Sequence, residues 1–451
     1  VRNIPYIRAY FVGIGGIGMS AIAMYYRELG IAVFGYDRTS TPLTRKMEKL
    51  GISIVYEDDA QFIPKQFNVE IKEESLIVYT PAIPRDSNIL SYFVRNGFEV
   101  IKRSDALSRI TENSINLSVA GTHGKTTISS MLSHVLIDQG VPVTSFVGGL
   151  MANYDSNIVS KGVEVTVTEA DEYDKSFFKL KPNFAVISST DPDHLDVYST
   201  VDDFVQNFNA FAEMASERGV VIAHQDAKVK YDYCYGWGNN CDYQIKAVKV
   251  DGLNSHATLR IPRNETVCIT IQIPGGHNVE NATAAFAMAH QYGLSEEKII
   301  DSLSTYRGVK RRFEVHCNRP NSTYIDDYAH HPSELSALIK SLRMHFPERK
   351  VSMVFQPHLF SRTRDFMTEF AEVLSGVDQL FLMPVYPARE LPIAGAESED
   401  LFAQIKLSDK HLSSVSQIVQ YIREEKPELL VTAGAGSIDQ LVEPLKAIYC
   451  S

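Results

Sequence analysis

The sequence predicts an α/β protein of three domains, and three observations carry that prediction. At 451 residues the chain is too long for one ordinary core, given about 100–200 residues per domain. Short apolar runs alternate with amphipathic segments along most of its length, the rhythm of parallel sheets covered by helices. Two glycine-rich stretches, 13–18 and 121–124, each follow an apolar run and precede a helical pattern, the place where such sheets hold phosphates.

Residues 1–107 read as a Rossmann-like domain built from "YIRAYFVGIGG", "GMSAIAMYYRELG", "IAVFGYD" and "SLIVYTPAI". Residues 108–316 read as a central nucleotide-binding domain: a strand "INLSVAG", a helix "TTISSMLSHVLIDQG", strands at "VEVTVTE" and "NFAVISS", and a helix in "NATAAFAMAHQYG". Within it, residues 242–273 are rich in β-formers and turn residues and predict small antiparallel strands beside the mixed sheet. Residues 317–451 return to the Rossmann-like rhythm with "STYIDDY", "KVSMVFQ", "DQLFLMPV" and "ELLVTAGAG".

Composition narrows the function. Hydrophobic residues at 44% and charged residues at 22% belong to a globular protein with packed cores. A net charge of -11 opposes generic attraction to nucleic acid or to an anionic membrane. No apolar run is long enough to span a bilayer and the first residues lack a secretory pattern, so the expectation is a cytoplasmic protein without membrane insertion. Five cysteines, at 234, 241, 268, 317 and 450, are odd in number and form no C-x-x-C, which predicts ordinary thiols, not a disulfide framework or a zinc site.

Gly13, Gly15 and Gly18 spell G-x-G-x-x-G between a strand and a helix, and Asp37 ends the next strand. That layout serves a nicotinamide dinucleotide, another nucleotide diphosphate, or simply a tight turn. The stretch "GTHGKTT" is more specific: Gly121, Thr122, His123 and Gly124 wrap amides around phosphates, Lys125 reaches the β/γ oxygens, and the Thr126 hydroxyl suits Mg²⁺. Val119 stands where the longer phosphate-loop pattern has its first glycine. A carboxylate at the end of a nearby strand completes such a site. "VEVTVTEADEYD" offers Glu169 there, followed by Asp171, Glu172 and Asp174, the last reading as a helix cap. "TDPDHLD" adds His194 between Asp193 and Asp196, either a hydrogen-bonded structural residue or a second metal ligand.

"GIGGIGMSA", "GTHGKTT", "EADEYDKSF", "DHLD", "GGHNVENATAA", "GVKRRFE", "DDYAHHP", "FQPHLFSRTRD" and "VYPARELPI" follow one another in the order and spacing of the Mur ligases, which this chain resembles over all three stretches. The short loop is the form that family uses. The resemblance implies an ATP-dependent ligase, with Mg²⁺, that joins L-alanine to the carboxylate of UDP-N-acetylmuramate through an acyl phosphate in peptidoglycan precursor synthesis. It implies a first domain for the UDP-sugar, a central ATPase domain and a last domain closing over ATP and the amino acid. It assigns Gly15, Gly16, Ile17, Gly18 and Asp37 to the UDP-sugar, and Thr126, Glu169 and His194 to metal. ATP falls to residues 121–126, Thr127, Asn278, Asn281 and Asp327, while Lys125, Arg312, His330 and Arg362 act on the reacting groups. Without it, "KRR" at 310–312 reads as a solvated basic turn and His330-His331 as the cap of a helix. Departures are Phe208 and Asn209 where sister ligases carry a carbamylated lysine, Ser189 for a frequent Asn, Ile128 for a threonine, and Leu359 for a frequent Arg. Rival readings are a murein peptide ligase using the same sugar and a nicotinamide-dependent oxidoreductase.

Overall fold

The computed structural model describes residues 5–68, 72–84, 86–191, 198, 200–388 and 390–450. It bears out the α/β expectation with three sheets. The first contains β1 (Arg8–Val12), β2 (Ala32–Tyr36), β3 (Ser53–Val55), β4 (Ser75–Tyr79) and β5 (Glu99–Lys102). All its pairings are parallel, in the order β3-β2-β1-β4-β5. β1 and β4 are apolar almost throughout, as strands covered on both faces must be. The order reverses between β1 and β4, so a crevice opens at their carboxyl ends, and residues 13–16 lie there.

The second sheet contains β6 (Ile115–Ala120), β7 (Val143–Met151), β8 (Ser156–Ser160), β9 (Val165–Glu169), β10 (Phe184–Ile187), β11 (Val220–His224), β12 (Tyr233–Gly236) and β13 (Tyr243–Asp251), with β14 (Asn254–Ile261) and β15 (Glu265–Ile271) beyond. β6 runs between β9 and β10, parallel to both, with Val119 opposite Glu169 and Ala120 opposite Ile187. That register brings the chain after β6, β9 and β10 to one edge. The third sheet holds β16 (Glu314–Arg319), β17 (Ser322–Asp327), β18 (Val351–Phe355), β19 (Gln379–Leu382), β20 (Lys410–Leu412) and β21 (Leu429–Ala433), ordered β16-β17-β21-β18-β19-β20. Only β16 is antiparallel to its neighbour, pairing Glu314 with Asp326.

The chain forms two compact units: residues 1–245 with 259–267 and 281–303, and residues 246–258 with 268–280 and 304–451. In the first, one core runs through both sheets. Helix Ile17–Glu28 buries Met19, Ile22 and Tyr25, and these join Phe146, Ile158 and Phe177 in a single cluster. Tyr25 meets Phe146 edge-on at 5.7 Å, and the buried Asn157 amide donates to Ile17 O at 2.6 Å and Ser20 Oγ at 3.0 Å. In the second unit, Tyr324, Val354, Leu430 and Tyr449 centre the core of the third sheet. No helix among the described residues is long and apolar enough to cross a membrane.

Candidate active site

β6 ends at Ala120 and helix Lys125–Asp138 begins after four intervening residues, so residues 121–124 make a tight phosphate loop. Gly121 and Gly124 sit at φ 127° and 83°, conformations that a side chain resists. A Cβ on Gly121 would strike Ser188, and one on Gly124 would come within 2.6 Å of Asn281 Oδ1. Residues following β10 brace the loop: Ser189 Oγ accepts the His123 N–H at 3.0 Å, and Asp191 O accepts the Thr122 hydroxyl at 2.6 Å. Ser189 thus engages the loop directly. Ile128 is fully buried and serves helix packing.

Lys125 Nζ donates to Gly121 O at 2.6 Å and to both oxygens of Glu172 at 2.8 Å. Burial opposes the ammonium, but the charges of Glu172, Asp171 and Glu169 outweigh it and raise the Lys125 pKa. Glu169, at the end of β9, accepts from Thr126 Oγ1 and Ser129 Oγ, each at 3.1 Å, and from Gly148 N–H. Burial raises its pKa, against the pull of those donors and of Lys125. A half-buried carboxylate beside a hydroxyl is a pair of hard oxygen donors, and a cation there would relieve the desolvation that pushes Glu169 toward neutrality, so the pair fits Mg²⁺. Thr127 is buried in the first turn of the helix. His194, with Asp193 and Asp196, lies outside the described residues. The segment Tyr173–Lys179 starts one residue before Asp174, which therefore lies inside that helical turn and does not cap it.

The amino-terminal glycine loop has a different anchor. Asp37 accepts the Gly15 N–H at 2.8 Å and the Thr39 N–H at 3.1 Å. Gly16 caps helix Ile17–Glu28 without a side-chain bond, and Ile17 is exposed. A Cβ on Gly18 would lie 2.6 Å from Arg103 Nη1, whose guanidinium also binds Asp171 at 3.0 Å.

In the second unit, the antiparallel return of β16 on β17 brings residues 311–313 beside Asp327. Asp327 accepts the Phe313 N–H at 2.6 Å and the Ala329 N–H at 2.7 Å. Burial pushes its pKa up to about 6, with Arg312 pulling the other way. Arg312 stacks on Tyr328 at 5.2 Å and reaches Glu334 at 4.0 Å. Arg311 is no solvated turn residue: its Nε binds the buried Asp326 at 3.0 Å. His330 Nδ1 lies 2.8 Å from Tyr328 O, which fixes the proton on that nitrogen and leaves Nε2 as the basic position. Burial lowers the His330 pKa, opposed by Glu334 and reinforced by Arg362 and Arg312. His331 caps helix Pro332–His345 through a reciprocal pair with Glu334, so the helix-cap reading holds for that histidine. His358, 5.7 Å from His330 ring to ring, is depressed to about 4 by burial and by the charges of His330 and Arg362. Leu359 has φ 72° at the start of helix Phe360–Asp365, which bears Arg362. Asn278 is held by Pro274 O at 2.7 Å.

The first unit therefore gathers residues 121–126, Glu169 and Asn281, and separately Gly15 with Asp37. The second gathers Arg312, Asp327 and His330, with Arg362 close enough to act on the histidine electrostatically. Sequence reasoning passed over Glu172, Arg103, Glu334, Tyr328 and His358. Only the run of carboxylates at 169–174 signalled the first, and nothing local separated it from its neighbours. One other group with metal-ligand geometry among the described residues, Glu314, His316 and Asp326, already has the Arg311 guanidinium as counter-ion.

Two glycine loops at parallel-strand ends, one with lysine and a hard-donor carboxylate, define a nucleotide-dependent α/β enzyme. Family models agree with that class: "Mur ligase family, catalytic domain" matches residues 8–114, "Mur ligase middle domain" 119–289, and "Mur ligase, glutamate ligase domain" 311–436. The chain belongs to the Mur ligase family. It is 43% identical to the UDP-N-acetylmuramate--L-alanine ligase of Cytophaga hutchinsonii, over 99% of this chain and 98% of that protein. It is 42% identical to the enzyme of the same name from Christiangramia forsetii, over 97% and 96%. The crystal structure of UDP-N-acetylmuramate-alanine ligase from Thermotoga maritima superposes with a TM-score of 0.83 at 26% identity, covering 98% of this chain and all of that one.

Proposed function

We propose that this chain uses ATP to join L-alanine to the carboxylate of UDP-N-acetylmuramate, an early step of peptidoglycan precursor synthesis. The observation that carries the reading is the Lys125 and Glu169 constellation at the ends of β6 and β9, in a chain so similar along its length to ligases of that name. ATP and nucleotide sugars are cytoplasmic metabolites, which supports that compartment.

The sugar carboxylate attacks the γ-phosphorus, ADP leaves, and the acyl phosphate so formed is attacked by the alanine amine, releasing phosphate. Amides 121–126 and the Lys125 ammonium cradle the phosphates and offset charge as one anion approaches another. Thr126 and Glu169 would hold Mg²⁺, which supplies further charge neutralisation at the phosphates. Gly15, Gly16, Ile17 and Gly18 present backbone to the sugar diphosphate, with Asp37 fixing the loop. Asn278 and Asn281 serve the adenine side and Asp327 the ribose. Arg312 reaches the γ-phosphate. His330, neutral with Nε2 free of the proton, accepts the proton lost by the amine, and Arg362 pairs with the alanine carboxylate.

Phosphate release from ATP, measured with UDP-N-acetylmuramate and each of L-alanine, glycine, L-serine, D-glutamate and the murein tripeptide, tests the assignment. Highest kcat/KM with L-alanine is expected; preference for the tripeptide would replace this reading with the murein peptide ligase. Because Leu359 replaces an arginine common in relatives, the amino-acid carboxylate depends on Arg362. Arg362→Lys keeps the charge but loses the planar fork, so KM for alanine should rise about tenfold, or about 1.4 kcal/mol, with the KM for ATP little changed.

A further inference from the structure

Outside the site, two buried cysteines at the far side of the second sheet stand apart from the ordinary thiols that the sequence suggests. Cys234 lies in β12 and Cys241 just before β13, and their Sγ atoms are 2.8 Å apart, closer than nonbonded sulfur atoms rest. The backbone on both sides is clamped. Cys234 N–H donates to Asp242 Oδ2 at 2.8 Å, Arg260 Nη2 donates to Cys241 O at 2.7 Å, and the parallel pairing of Tyr235 with Tyr243 fixes the two strands. The turn between them is tied by Cys241 N–H to Gly238 O at 3.0 Å and Gly238 N–H to Gln225 Oε1 at 2.5 Å. The two sulfurs are thus held face to face on a fixed backbone, less than about 1 Å beyond the length of an S–S bond.

We propose that Cys234 and Cys241 are a modification site, forming a reversible intramolecular disulfide on exposure to a hydroperoxide. Cys241, which has the Arg260 charge and the Gly238 amide nearby, is the first nucleophile. Its thiolate attacks a peroxide oxygen, the O–O bond breaks, and the departing oxygen takes up the thiol proton, leaving a sulfenic acid. Cys234 then attacks that sulfur, the S–O bond breaks, and water leaves with the Cys234 proton. Two thiols are oxidised by two electrons and hydrogen peroxide is reduced to two waters. Burial raises both thiol pKa values, that of Cys234 to about 12, so few thiolates exist at neutral pH and the bond forms slowly. A dithiol reverses it.

The full-length protein treated with hydrogen peroxide, then denatured, alkylated and digested with trypsin, gives the test. Lys230 and Lys246 bound one peptide, 231–246, containing both cysteines. The expected result is a peptide lighter by two hydrogens, closed to alkylation until dithiothreitol is added, and absent from Cys234→Ser and Cys241→Ser. Replacing the exposed Cys268 and Cys450 by serine should leave the bond intact, a control that does not depend on substitutions in the core. The proposal is overturned if peptide 231–246 takes two alkyl groups at a peroxide dose that oxidises Cys268, or if either cysteine is found bonded to another partner.

Discussion

The two glycine loops of the first unit share a plan and differ in what stands behind them. Each follows a strand that runs parallel to both its neighbours, and each opens a helix. Behind residues 13–18 stands the carboxylate of Asp37, spent on loop amides. Behind residues 121–124 stands a charged network in which Lys125 is shared between a carbonyl and buried Glu172, while Glu169 collects hydroxyl and amide donors. The first arrangement suits the proposed role of holding a diphosphate that does not react. The second stores a cation and a carboxylate in defined places, as a centre must when charge moves during the reaction.

Lys125→Ala should produce the largest effect. A loss of turnover of about 10²–10³-fold is expected, with UDP-sugar binding retained; activity within tenfold of the parent would erase the distinction between the loops. The substitution also strands Glu172 in the interior, at a cost of about 3–5 kcal/mol. Lys125→Ala with Glu172→Gln should therefore regain much of the lost thermal stability and none of the activity, which separates the chemical role from the structural one. Glu169→Gln is next: the Mg²⁺ concentration for half-maximal rate should rise on the order of 10–100-fold, and an unchanged Mg²⁺ titration would remove Glu169 from metal binding. Smallest is Asp37→Ala, which removes about 0.5–1.5 kcal/mol of loop support, so KM for the UDP-sugar should rise roughly two- to tenfold and KM for ATP should stay put. Equal changes in both constants would mean that Asp37 supports the whole unit.

The strands that face helices on both sides were legible because their apolar runs have no competing pattern, as in "AYFV" and "SLIVY". β16 was missed because "EVHCNR" alternates polar residues along an edge, and β20 because three residues make no pattern. The phosphate loop was legible because steric limits at Gly121 and Gly124 act through neighbouring residues. The division of labour among four carboxylates at 169–174 was not, since which one meets Lys125 depends on a strand end and a helix that are far apart in sequence. Likewise "KRR" does not reveal that Arg311 turns to Asp326 while Arg312 faces Glu334; a φ of 62° at Arg311 and the return of β16 decide it.

The single core beneath the first two sheets bears on how the chain comes off the ribosome. Met19, Ile22 and Tyr25 are synthesised early, yet part of their cover, Phe146 and Ile158, emerges more than a hundred residues later. Until then the nascent chain carries an apolar helix face with no native partner, a surface on which a chaperone can act. A chain interrupted before β7 would lack both Phe146 and Ile158 and leave that face partly uncovered and prone to aggregation.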